Sequence, residues 1–137
     1  MSIIYLPFEF LIPRRPVSLQ AKRKGLQEWK NFVRSEAQKV WQGSSPIQNT
    51  NLQLTLVYLC SDYPPDTDNI IKPIQDALVG LVFEDDNLIS DVESHRRFIS
   101  NPIDFINLPL LLQQGVLIGQ ECVYVKVSES QALEKYL

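Results

Sequence analysis

The chain has little of what soft-metal and disulfide sites require. It carries one histidine, His95, and two cysteines, Cys60 and Cys122, which lie far apart and form no CxxC pair. Such a set cannot supply the nitrogen and sulfur cage that zinc prefers. Two buried free thiols in a reducing cytoplasm are the simpler expectation. Long hydrophobic runs are missing as well. The longest, Leu52–Cys60 and Ile103–Leu112, are interrupted by polar residues or proline, and neither reaches the roughly 18 residues of a membrane span. No basic stretch precedes an apolar one near Met1, so no secretory signal is expected. The sequence has no P-loop, no glycine-rich dinucleotide turn and no GxSxG motif, which removes the phosphate-cradle, dinucleotide and serine-hydrolase readings.

What is present is a globular composition, 45% hydrophobic and 21% charged over 137 residues, suited to one domain around one core. The net charge of −3 argues by itself against a nucleic-acid partner. Its distribution argues the other way. Residues 1–50 hold eight basic residues (Arg14, Arg15, Lys22, Arg23, Lys24, Lys30, Arg34 and Lys39) against three acids, while residues 51–137 hold five basic residues against thirteen acids. A cationic surface beside a carboxylate-rich site has this signature, and so does a solvated helix followed by ordinary acidic surface.

The periodicity predicts a strand over Ile3–Ile12, ended by Pro13 and Pro16, with Ser18 as a helix N-cap. A long amphipathic helix follows over Leu19–Gln42, its apolar positions recurring at three and four. Period-two Leu52, Leu54, Leu56, Tyr58 and Cys60 predict an interior strand. A second helix is expected over Asp68–Val79, closed by Gly80, then strands within Asp86–Ile99 and over Glu121–Val127. A short helix over Leu108–Gln114 and a C-terminal helical turn complete the expectation. The order of elements gives an α+β (α/β) protein, a single domain over residues 1–137 with one small mixed sheet and helices packed against it.

The segment that carries chemistry is Pro65-Asp66-Thr67-Asp68-Asn69-Ile70-Ile71-Lys72-Pro73, continuing to Asp76 and then to Glu84-Asp85-Asp86. An extended backbone at Asp66 and Asp68 would point both carboxylates the same way. Asp68 or Asn69 is suited to cap the next helix, and Lys72 and Asp76 fall one turn apart on it. The turn at Gly80 then allows Asp85 and Asp86 to return towards the first pair. Gathered carboxylates repel one another unless a cation neutralises them, and an all-oxygen set suits Mg²⁺ or Mn²⁺. A hard cation of this kind, with a lysine nearby, is equipped for phosphodiester hydrolysis. The plainer alternative is that these acids cap a helix and solvate a loop. An EF-hand starting at Asp66 is excluded, because Ile70, Ile71 and Ala77 stand where a ligand, a glycine and a glutamate are needed.

Asp66-x-Asp68-Asn69-x-x-Lys72-Pro73-x-x-Asp76-Ala77-Leu78, then Gly80, then Glu84-Asp85-Asp86, resembles the signature of RusA-type Holliday-junction resolvases over residues 64–92. The resemblance implies a Mg²⁺-dependent homodimeric endonuclease that resolves four-way DNA junctions by paired nicks, leaving 5′-phosphate and 3′-hydroxyl ends. It implies Asp66, Asp68 and Asp86 as catalytic, metal-binding carboxylates, Asp85 as a further metal ligand, Lys72 as the catalytic cation, and Asn69 and Asp76 in support. Phosphate contacts are expected from Lys22, Arg23, Lys24, Arg96 and Arg97, with Arg14 and Arg15 as additions. A nuclease acting on branched DNA more broadly, and an inactive junction-binding module, remain the alternatives.

Overall fold

The computed structural model describes residues 5–137, so Ile3 and Ile4 of the expected first strand lie outside the described residues. Its framework is a four-stranded mixed sheet in the order β1-β4-β2-β3, formed by β1 (Phe8–Ile12), β2 (Leu52–Cys60), β3 (Ile89–Phe98) and β4 (Cys122–Glu129). Helices α1 (Arg23–Gln38), α2 (Ile71–Leu78) and α3 (Leu110–Ile118) complete it. β2 and β3 run parallel, with α2 in the connection between them, while β4 is antiparallel to both β1 and β2. The α+β expectation of one mixed sheet with packed helices holds.

β2 is central because its sequence is apolar on both faces. Leu52, Leu54, Leu56, Tyr58 and Cys60 join the core under α1 and α2, whereas Val57 and Leu59 face the cluster under α3. Among the described residues β3 pairs with β2 alone, and it carries Asp91, Glu93, Arg96 and Arg97, charges that guard an edge strand against further pairing. α1 buries Trp29, Val33 and Ala37, four residues apart each time, against this core. Arg34 on the same helix donates to the carbonyls of Ala77 at 3.2 Å and Val79 at 2.8 Å. It thereby satisfies acceptors that the end of α2 leaves open, and fastens the two helices together.

Several boundaries differ from the sequence expectation for local reasons. α1 spans Arg23–Gln38 rather than Leu19–Gln42, and Ser18 does not cap it: its Oγ accepts from Gln20 N at 3.1 Å and its carbonyl from Ala21 N at 2.9 Å, closing a turn. α2 starts at Ile71 rather than Asp68, with Ile70 at the N-cap and no side chain capping it. Pro73 consequently falls in the first turn, where its missing N–H has no intrahelical partner to lose, so no kink is needed. Gly80, at φ +82°, turns the chain after α2. The strand expected within Asp86–Ile99 begins only at Ile89, after a 3₁₀ turn over Asp86–Leu88. The helix expected over Leu108–Gln114 is α3, four residues further along at its end; Gly115 lets it approach the sheet, since a Cβ there would lie 3.2 Å from Cys122 Sγ.

Candidate active site

The site grows from the connection between β2 and α2. β2 ends at Cys60, the chain bends at Asp62 and Tyr63 (φ +51°) ahead of Pro64 and Pro65, and residues 67–70 form a turn in which Asn69 N donates to Asp66 O at 3.1 Å and Ile71 N to Asp68 O at 3.4 Å. Asp66 and Asp68 therefore do not share a continuous extended backbone. The turn is pinned from two sides. Ser94 Oγ on β3 donates to Thr67 O at 2.8 Å, and Leu19 N, just ahead of α1, donates to Asn69 O at 2.9 Å. The carboxylates of Asp66 and Asp68 are exposed and have no hydrogen-bond or ion-pair partner among the described residues. Neither caps α2, which removes helix capping as the reason for their presence.

Lys72 joins the two halves of the motif. Its Nζ donates to Asp76 Oδ1 at 2.7 Å and to Asp86 Oδ2 at 3.0 Å. The hydrogen bond to Asp76, aided by that to Asp86, raises the Lys72 pKa, so the ammonium stays charged. The hydrogen bond from Lys72 holds the Asp86 carboxyl below its ordinary range. Asp85 has a local duty: its Oδ1 accepts from Asn87 N at 3.0 Å and caps the 3₁₀ turn that presents Asp86. Beside this pair a cleft of about 600 Å³ opens between α1 and α2, lined by residues including Gln27, Lys30, Asn31, Asp76, Asp85 and Asp86.

The donors are of the type a hard divalent cation takes, carboxylate oxygens near solvent with no competing sulfur or imidazole. Among the described residues, however, no three acidic, histidine or cysteine side chains are gathered closely enough to hold a metal ion. The structure thus brings Lys72, Asp76 and Asp86 together and leaves Asp66 and Asp68 on the neighbouring pinned turn.

The basic residues divide. Lys22, Arg23 and Lys24 are exposed at the start of α1, shortly after the backbone bond from Leu19 to the acidic turn. Arg96 pairs in register with Tyr58 and lies on the α1/α2 face, the face that also receives Ser94 and the turn. Arg97 pairs with Leu59 and projects on the α3 face, so the two adjacent arginines do not act on one surface. Arg14 stacks over the Phe32 ring at 3.8 Å, and Arg15 is committed to the carbonyls of Asp62 and Tyr63 and to Glu121 at 3.3 Å. Burial pushes the Glu121 carboxyl up, but hydrogen bonds from Ser61 and Tyr58 and the charge of Arg15 outweigh it and keep the group ionised.

Sequence reasoning missed Lys30, whose Nζ lies 3.4 Å from Asp76 Oδ2. The spacing of Lys30 and Arg34, four apart beside the buried stripe of α1, puts them on one face, but the cleft they line exists only where α1 meets α2.

With this geometry in view, the family of the endodeoxyribonuclease RusA matches the chain over residues 15–103, about two thirds of its length, and the chain belongs to that family. It is an endodeoxyribonuclease by that membership. No curated protein matches it. The remaining residues are not an appendage, for they supply α3 and β4, and β4 sits inside the sheet between β1 and β2. Among the described residues no helix is long and apolar enough to cross a membrane.

Proposed function

We propose that the protein is a Mg²⁺-dependent endonuclease that resolves four-way DNA junctions by paired, symmetric phosphodiester cleavage, with Mn²⁺ able to replace Mg²⁺. The observation that carries this reading is the Lys72–Asp86 contact at 3.0 Å, which ties α2 to the second acidic group, beside two exposed carboxylates that do not cap the helix. Asp66, Asp68 and Asp86 would hold the metal, with Asp85 as an additional ligand. When bound, such a cation would polarise a phosphoryl oxygen and ease loss of a proton from the water that attacks phosphorus.

The chain's own residues do the rest. Lys72, kept charged by Asp76 and Asp86, stabilises the negative charge that develops on the phosphoryl oxygens. Asp76 fixes the direction of its ammonium, and Asn69 shapes the turn through its backbone contacts. Lys22, Arg23, Lys24 and Arg96 attract flanking phosphates, supplying salt-dependent affinity without sequence information. Arg97, on the opposite face, belongs to the wider electrostatic surface. The pI of about 5.1 is consistent with a binding surface confined to the first helix and one strand.

A four-way junction has approximate two-fold symmetry, so two matched nicks call for two sites related by a dyad, a homodimer. The large apolar side chains Ile106, Leu110, Leu117 and Ile118, exposed around α3, support self-association on the face away from the acidic turn. Two buried free thiols, Cys60 and Cys122, suit the cytoplasm.

The test is incubation of the protein with a labelled four-way junction, forks, flaps and matched linear duplex, in Mg²⁺ or EDTA. Symmetric nicks confined to the junction and lost in EDTA are expected. Equal cutting of forks and flaps would replace this reading with a broader branched-DNA nuclease, and junction binding without cutting in any metal would reduce it to a binding module.

A further inference from the structure

Asp76 is shared. One oxygen, Oδ1, accepts from Lys72 Nζ at 2.7 Å; the other, Oδ2, faces Lys30 Nζ at 3.4 Å. With the 3.0 Å contact from Lys72 to Asp86, the charges alternate in one line from α1 through α2 to the 3₁₀ turn: Lys30, Asp76, Lys72, Asp86. We propose that Lys30 is a positioning residue for the cleavage reaction, holding Asp76 so that Lys72 stays directed at Asp86 and at the phosphate approaching it. The proposal rests on the nuclease reading above.

Electrostatics explains why the second lysine matters. A carboxylate with one cationic neighbour draws that cation to itself with both oxygens. A second cation on the far oxygen divides its charge and fixes its rotamer, and Lys72 is then shared between Asp76 and Asp86 rather than captured by the first. Exposure separates the roles along the line. The side chains of Lys30 and Asp76 are 26% and 28% exposed, against 48% for Lys72 and 40% for Asp86. The covered end suits a group that acts through its neighbours, and the open end suits groups that meet DNA. Lys30 also crosses from α1 to α2 at the cleft, adding to the fastening by Arg34 a contact aimed at the site rather than at backbone carbonyls.

Single-turnover nicking of a four-way junction in Mg²⁺ tests this, with Lys30→Met, Lys30→Arg and Lys72→Ala compared to the unaltered protein and junction affinity measured separately. The expected result for Lys30→Met is a fall in the nicking rate of ten- to a hundredfold, on the order expected for misplaced catalytic groups, with junction affinity unchanged. Lys30→Arg, which keeps the charge, recovers most of the rate. A second reading comes from the ¹H–¹⁵N spectrum of the lysine ammonium groups at low temperature. There the Lys72 signal is expected to persist in Lys30→Arg and broaden away in Lys30→Met. Loss of junction affinity with the rate at saturation preserved would make Lys30 a DNA contact and overturn the proposal. An unchanged rate in folded Lys30→Met, with Lys72→Ala inactive, would overturn it while sparing the nuclease reading. Normal nicking by Lys72→Ala would remove the reading beneath it.

Discussion

The two faces of the sheet are built to different standards. On the α1/α2 face, Phe10, Ile12, Leu52, Leu54, Leu56, Ile70, Ile74 and Leu78 are closed from solvent and extend the core up to the turn that carries Asp66 and Asp68. On the α3 face the buried hydrophobic cluster among the described residues is smaller, Leu59, Leu112, Cys122 and Tyr124, and the helix above it leaves Leu110, Leu117 and Ile118 in solvent. Close packing is concentrated beneath the groups proposed to act on DNA, and a site of that kind would tolerate only fractions of an ångström in its geometry. The opposite face keeps apolar surface available for association. One strand pair, β2 and β4, thus backs the acidic turn and Lys72 on one side and the exposed apolar side chains of α3 on the other.

The largest effect that distinguishes the faces is chemical. Lys72→Ala is expected to lower junction nicking by about 10²–10³-fold, the loss typical for removing a group that stabilises transition-state charge, with little change in the melting temperature. Replacement of Leu117 on the other face by alanine leaves the rate per dimer intact. A mutant of Lys72 that melts early and nicks normally would dissolve the distinction.

Stability gives the next contrast. Leu56→Ala, fully buried under α1 and α2, is expected to cost about 3 kcal/mol in urea unfolding, whereas Leu117→Ala stays within about 0.5 kcal/mol. Equal losses would mean that the α3 face is as load-carrying as the other. Association follows. The proposed dimer is expected to appear in the light-scattering mass of the unaltered protein and to fall to a monomer in Leu117→Glu; a dimer mass kept by the mutant moves the interface elsewhere, and a monomeric unaltered protein removes it.

How much of this was legible beforehand depends on the range of the forces involved. β2 reads directly because a strand buried on both faces has period-two leucines on one side and added apolar weight on the other. The start of α2 misreads because Asp68 and Asn69 have the chemistry of caps, while the truer marker is Pro73, which a helix accepts only in its first turn. The contact of Lys72 with Asp76 is local and follows from spacing. Its contact with Asp86 depends on the turn at Gly80, and the role of Lys30 depends on how α1 lies across α2. No pattern within either helix specifies those. The opposed directions of Arg96 and Arg97 are a consequence of strand alternation, hidden until β3 was seen to reach both.

A last contrast, silent in both cleavage and stability, concerns the thiol on the sparser face. Burial pushes Cys122 up from 9.0 to about 11, so the thiolate fraction at pH 8 falls by about a hundredfold relative to an unfolded chain. Labelling by a thiol reagent should be slow in the folded protein, rise with pH, and become rapid in denaturant. Rapid labelling of Cys122 at neutral pH without unfolding would show that the α3 face opens readily.

The central claim is that the acidic turn and Lys72 form a cleavage site rather than a solvated loop. It is tested most directly by Asp68→Asn, which removes one charge from a side chain that has no partner among the described residues and so leaves the fold untouched. Nicking and binding of a four-way junction should be measured on the same preparation. The expected result is binding at unaltered affinity with cleavage abolished; cleavage by the mutant at the normal rate would contradict the account.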